Sequence, residues 1–420
     1  MAIIGTLFFI FGFVTWLNGS LIPFLRILCD LNEFQAFFVT FVFYIAYTVM
    51  ALPMSLILRK TGYRNGMAIG LGIMGAAALI FIPAAQTGSF GVFLLALFGL
   101  GAGLTILQTA SNPYVVKVGP VESAATRIAI MGIINKSAGV LAPLAFTALV
   151  LSGLSDFNSQ AVASLEGEAR AALLDSVANR LIMPYVYMAG LLFLLVGLVK
   201  FSGLPEIEED TAADSEARSG VWQFPQVVLG ALALFAYVGV EVIAGDTIGL
   251  YGEELGVANF ASLTSYTMVF MVVGYLLGVV CIPRWISQQQ ALTGSAIAGS
   301  LCVLGVLFSS AESSVMAGAL WGWSGIPMVP DTIFFVALMG LAHALVWPTV
   351  WPLALEGLGK FTAQGSALLI MGIAGGAIVP LVFGKLAAVS GTVLNGYWVA
   401  LPCYLFILFY ALKGHRIRSW

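Results

Sequence analysis

Charge is what this sequence has least of. It holds 17 basic and 20 acidic residues in 420, or 9% of the chain, where a soluble domain carries roughly a quarter. A charged shell cannot be built from so few groups, so most of the surface faces something other than water. That excludes a soluble globular enzyme and leaves no basic face for nucleic acid. There are only two histidines. No H-E-x-x-H pair, no paired aspartate cluster and no nucleophile elbow occurs, which argues against a membrane-embedded enzyme. The four cysteines (Cys29, Cys281, Cys302, Cys403) stand singly in or beside apolar runs. Without a C-x-x-C pair, neither a zinc site nor a disulfide framework is expected, and no cofactor is implied. The first residues enter an apolar run without a basic n-region. They do not read as a cleavable signal peptide, although a trimmed start would look the same.

What is present is apolar sequence in regular instalments. Hydrophobic residues make up 60% of the chain. Twelve stretches reach the ~20 residues needed to cross a bilayer core of ~30 Å. They lie at 3–28, 33–58, 66–87, 90–118, 122–152, 183–203, 223–251, 258–282, 290–311, 330–358, 361–389 and 392–413. The predicted fold class is therefore an all-α membrane protein, with twelve transmembrane helices in two pseudo-symmetric six-helix bundles. Residues 155–181 are polar at helical spacing and read as a separate amphipathic helix outside the membrane. Residues 204–222 are acidic and punctuated by Pro and Gly, as in a solvated linker. The expected division is a first bundle over 1–203, a cytoplasmic linker over 204–222 and a second bundle over 223–420. Basic residues set the orientation. With both termini inside, twelve lie on the inner side, from Arg59, Lys60 and Arg64 to Arg416 and Arg418. Only Arg26, Arg170, Arg180 and Lys385 lie outside. A multi-pass monomer in the plasma (inner) membrane follows, with the lipid bilayer as its main partner and both termini cytoplasmic.

The halves echo each other. IMGIINKSAGVLAP in the fifth segment matches IMGIAGGAIVP in the eleventh, and NPYVVKVGP is paralleled by WPLALEGLG. Six-plus-six repeats are typical of secondary transporters, whose sites lie near the midplane. The second turn, Ser55-Leu-Ile-Leu-Arg59-Lys60-Thr-Gly62-Tyr-Arg64, resembles the major facilitator superfamily loop G-x-L-x-D-R-x-G-R, with Ser55 for the first Gly and Arg59 for the Asp. More specific is Gln108-Thr109-Ala110-Ser111-Asn112-Pro113-Tyr114. With Phe43-Tyr44, Pro348-Thr349 and Gly365-Ser366 through Gly375-Gly376, it resembles the fucose–galactose–glucose:cation symporter family of that superfamily. The resemblance implies alternating access and uptake of a monosaccharide (hexose, fucose or amino-sugar type) driven by H⁺ or Na⁺. Where fucose–proton symporters of that family carry an acid after Leu-Asn in the first segment, this chain has Gly19. Where they carry Glu in the fourth, it has Gln108, as glucose/galactose-type members do. The usual N-x-x-Q-x-x-N of the fifth segment is Ala129, Gly132 and Asn135, followed by Lys136. His343 replaces a frequent Asn in the tenth.

Polar residues at membrane depth are costly and by default mark a pathway. Lys136, Glu241 and His343 stand near the middle of their segments, with Asp246 nearer an outer end as a wetted vestibule residue. Glu241 and Asp246, ~140° apart on a regular helix, share a face only if the seventh segment unwinds, and Gly245 would permit that. Glu241 reads either as a structural ion pair with Lys136 or as the coupling carboxylate. Burial favours the neutral form of a carboxylate and an adjacent ammonium the ionised form, so a group held between the two can exchange its proton. For Na⁺ coupling, carbonyls freed at Gly245 would add oxygen ligands. His343, Trp347 and Trp351 recur at i, i+4 and i+8 as one stripe. Aligning Pro113 with Pro352 sets Gln108 opposite Trp347 and Asn112 opposite Trp351. Amides on one half and indoles on the other suit a sugar, whose hydroxyls pair with amides and whose C–H faces stack on rings. Asn18 completes the expected substrate set of Asn18, Gln108, Asn112, Asn135, His343, Trp347 and Trp351. Trp16, two residues from Asn18, is not expected to face inward with it. Facilitative sugar uniport, or efflux of another small molecule, is the alternative.

Overall fold

The computed structural model of the protein describes residues 2–117, 124–152, 157–204, 220–282, 284–358 and 361–420. Among these residues all regular structure is helical, and twelve helices are long and apolar enough to cross a membrane. The chain divides into two compact units. The first comprises Met1–Glu208 with Gly252–Ser265, and the second Glu209–Tyr251 with Tyr266–Trp420. The first six spans lie in the first unit. The last six lie in the second, apart from the opening residues of the eighth (Phe260–Cys281).

In the first unit the third span (Tyr63–Thr87) and the fourth (Phe90–Ser111) pack backbone to backbone. A Cβ on Gly70 would stand 2.8 Å from the Gly103 carbonyl oxygen, and one on Gly103 2.7 Å from that of Gly70. Only hydrogen fits at either position, which is the small-residue logic of membrane helix pairs. The turn between the second and third spans is a single residue. Helix Phe38–Thr61 ends and Tyr63–Thr87 begins around Gly62 at φ +78°, a backbone that an L side chain seldom adopts. Thr61 Oγ1 donates to the Ile57 carbonyl at 2.9 Å, and Asn65 Nδ2 to the Thr61 carbonyl at 3.0 Å.

The sixth span differs from expectation. It is one helix of 34 residues, Gly167–Lys200, so the polar stretch is continuous with the membrane segment. Only the short helix Ser159–Ala163 stands apart. A change from polar to apolar composition does not stop a helix. ARAALLDSVANRLIM offers good helix formers throughout and neither Gly nor Pro. Of the expected linker, residues 205–219 lie outside those described.

In the second unit the seventh span runs as Pro225–Asp246 without unwinding at Gly245. The bend falls at Thr247. Its hydroxyl is anchored to the Ile243 carbonyl (2.7 Å) and to the Tyr397 hydroxyl (2.9 Å), before helix Ile248–Glu254 resumes. The tenth span is broken into Asp331–His343 and Val346–Leu355. Pro348 explains the break: a proline ring clashes with the carbonyl four residues back, here Ala344.

Candidate functional site

Each unit carries its own polar cluster, and the clusters are described separately. In the first unit the first span is enclosed on every side from Trp16 to Leu25. Trp16 (2% exposed) and Asn18 (1%) are therefore both interior. Lys136, also buried, places its Nζ 4.4 Å from the centroid of the Trp16 ring. A desolvated cation–π contact of this kind contributes up to about 2 kcal/mol. Gln108 donates from Nε2 to the Tyr47 hydroxyl at 3.1 Å, and Tyr47 stacks on Tyr44 at 6.2 Å between centroids. Among the described residues, the interior donors Trp16 Nε1 and Asn18 Nδ2 have no hydrogen-bond partner. Asn135 donates to the Phe8 carbonyl at 3.2 Å, a tie between the fifth and first spans. The side chain of Asn112 lies outside those described.

In the second unit Glu241 sits in an aromatic nest. One helical turn back, Tyr237 lies beside its carboxylate, and Tyr275 and Tyr404 lie within electrostatic reach of it. His343 is fully buried, with Nε2 in a short hydrogen bond to the Tyr404 hydroxyl and the two rings 9° from parallel. Tyr237 meets His343 edge-on at 6.0 Å and Trp347 at 6.3 Å, and Trp347 meets Trp351 at 5.6 Å. The His–Trp–Trp stripe thus survives the break in the tenth span because Tyr237 bridges it. Trp351 Nε1 is likewise a buried donor without a partner among the described residues. Asp246 is 0% exposed. The expectation of a wetted vestibule residue fails because the seventh helix continues through it into the packed bend at Thr247.

Glu241, His343, Trp347 and Trp351 are gathered in the second unit, and Asn18, Lys136 and Gln108 in the first. The family profile of the Major Facilitator Superfamily matches residues 4–384. The chain belongs to the Major Facilitator Superfamily. Within it, the chain is 33% identical over 416 residues to a glucose/galactose transporter of Brucella abortus biovar 1 (strain 9-941), covering 98% of this chain and 92% of that one. It is 26% identical over 434 residues to the L-fucose-proton symporter of Escherichia coli (strain K12), covering 100% and 92%. The crystal structure of the superfamily transporter FucP in the outward conformation aligns over 98% of both chains, with a TM-score of 0.72 at 24% identity. That likeness carries the fold alone.

Sequence reasoning missed several residues of this superfamily member's clusters. Tyr237 was legible, since it lies four residues before Glu241 on one helical face. Tyr47, Tyr275 and Tyr404 were not, because each meets its partner across separate spans. Arg26 and Glu253 form an ion pair at 3.0 Å, with side chains 19% and 5% exposed. It joins the end of the first span to the segment after the seventh, and no local pattern announces it.

Proposed function

We propose that this superfamily member takes up a monosaccharide by cation symport through alternating access, with H⁺ as the coupling ion. One observation carries the reading: among the described residues, the indole N–H of Trp16 and the Nδ2 donor of Asn18 are enclosed, close in sequence and without a hydrogen-bond partner. Buried donors are rarely left unpaired, and an exception calls for an explanation. A hydroxyl-rich ligand supplies the acceptors that they lack. Gln108, in the same unit, adds a further amide; within the second unit, Trp347 and Trp351 carry ring faces of the kind on which the C–H surface of a pyranose stacks. The glucose/galactose and L-fucose names of the relatives support the same substrate class.

Coupling is assigned to Glu241, with Lys136 and Asp246 as further buried charges. Positions that are acidic in fucose–proton symporters are Gly19 and Gln108 here. Glu241 lies among phenol hydroxyls, and a single carboxylate among proton-bearing groups suits H⁺ exchange. The test is uptake of radiolabelled glucose, galactose and fucose into proteoliposomes under an imposed pH gradient, a Na⁺ gradient or neither. Accumulation of at least one sugar under the pH gradient alone is expected. Equilibration without accumulation under every gradient would mean uniport.

A further inference from the structure

Away from both clusters, the first unit has a cavity of about 570 Å³ lined by Lys60, Thr61, Asn65, Ala68, Ile69, Val196 and Lys200. Its size falls within the roughly 300–1,000 Å³ of small-ligand pockets. It opens where the second span ends, the third begins and the sixth ends. The lining is sorted by depth. Lys60, Asn65 and Lys200 are exposed at the rim, whereas Ala68, Ile69 and Val196 lie about one helical turn further in and are buried or half-buried. Thr61 spends its hydroxyl, and Asn65 one of its two N–H donors, on local carbonyls, so the charged groups that the rim offers are two ammonium groups. Among the described residues neither lysine forms a salt bridge, and no carboxylate lines the cavity. Beside Lys200, Phe201 is 86% exposed, an aromatic side chain at the edge of the apolar band.

Two ammonium groups with no carboxylate partner among the described residues, set above an apolar wall, match a molecule with a phosphate at one end and a hydrocarbon tail at the other. A free phosphate would satisfy the lysines and leave Ala68, Ile69 and Val196 unused. Basic pockets between membrane helices on the cytoplasmic side are the usual seats of anionic headgroups. This rim carries the basic turn that marks that side in the sequence. We propose that the cavity between Lys60 and Lys200 binds the phosphate of an anionic glycerophospholipid from the surrounding leaflet, with the acyl chain running along Ile69 and Val196.

Native mass spectrometry of the full-length protein, equilibrated with equimolar phosphatidylglycerol and phosphatidylcholine, tests this. Each lysine near an anionic headgroup is worth roughly a five-fold preference. The Lys60→Gln/Lys200→Gln variant should therefore lose about thirty-fold of the wild-type selectivity for phosphatidylglycerol. Lys60→Arg/Lys200→Arg should retain most of it, and the exposed Lys413→Gln should retain all of it. A monodisperse gel-filtration peak for the Gln variant separates lost binding from misfolding. Unchanged selectivity in a folded Gln variant overturns the proposal. So does displacement of bound phosphatidylglycerol by an equal concentration of inorganic phosphate, which would mark a site for a soluble anion.

Discussion

Replacing Glu241 by Gln changes one atom in the aromatic nest, and its consequence can be stated in numbers. The Gln side chain keeps the volume and can still hydrogen-bond with the neighbouring Tyr237. The fold should lose no more than about 1 kcal/mol, the net worth of one altered hydrogen bond. The variant loses only the ability to take up and release a proton. In proteoliposomes under an imposed gradient of one pH unit, a one-proton symporter can hold a sugar ratio of about ten, because one unit corresponds to about 1.4 kcal/mol. The wild type should approach that ratio, and Glu241→Gln should settle near one. Sugar counterflow, which needs alternation without net proton movement, should continue within a few-fold of the wild-type rate. If Glu241→Gln accumulates sugar to the wild-type ratio, the coupling assignment fails and Asp246 is the next candidate. If counterflow disappears as well, Glu241 serves the transport cycle itself.

Gln108→Ala and Trp347→Ala should each weaken sugar binding by about 1–3 kcal/mol, the cost of an unmet buried partner or a lost ring face, as read by titration calorimetry; unchanged affinity in both would move the site elsewhere. Glu253→Gln leaves Arg26 facing a neutral group. A fully buried pair costs about 3–5 kcal/mol to break, and the partial exposure of Arg26 reduces that to about 2–3. A double-mutant cycle with Arg26→Gln by thermal unfolding should show strong coupling, and additive effects would deny the pair that role. Cys29 lies outside the spans, and burial pushes its thiol up to about 11. The reactive thiolate is therefore scarce below that value, and Cys29 alkylation, followed by peptide mass spectrometry, should rise about ten-fold per pH unit from 7 to 10. A plateau near pH 9 would show an ordinary thiol.

Hydrophobic run length made the twelve spans legible, since each must satisfy its own backbone inside lipid. The single-residue turn at Gly62 and the proline break in the tenth span also follow from local chemistry. The unbroken sixth helix did not, because polarity was mistaken for a stop signal. Gly245 illustrates the opposite error. A glycine permits unwinding but does not compel it, and the bend went to Thr247, where Tyr397 supplies the anchor. Within the site, Glu241, His343 and the two tryptophans stood out as costly or large residues at membrane depth. What escaped notice were partners distant in sequence: Tyr404 is 61 residues from the histidine that it meets. Asn135 fastens to the Phe8 carbonyl, and in the sequence an amide inside a membrane helix reads the same whether it awaits a substrate or makes such a tie.

The sixth helix has a practical consequence. At about 1.5 Å per residue, its 34 residues measure about 51 Å, against a hydrocarbon core of about 30 Å. Roughly 20 Å, the Gly167–Arg180 end, therefore stands clear of the lipid as a direct extension of a membrane-embedded rod. It is braced at Arg170 by Asp30 at 3.4 Å and at Arg180 by the Ser152 carbonyl. A small helical protein fused in register at that end would inherit the orientation of the rod. A transporter with little mass outside the detergent belt would then carry a rigid fiducial for particle alignment in electron cryo-microscopy.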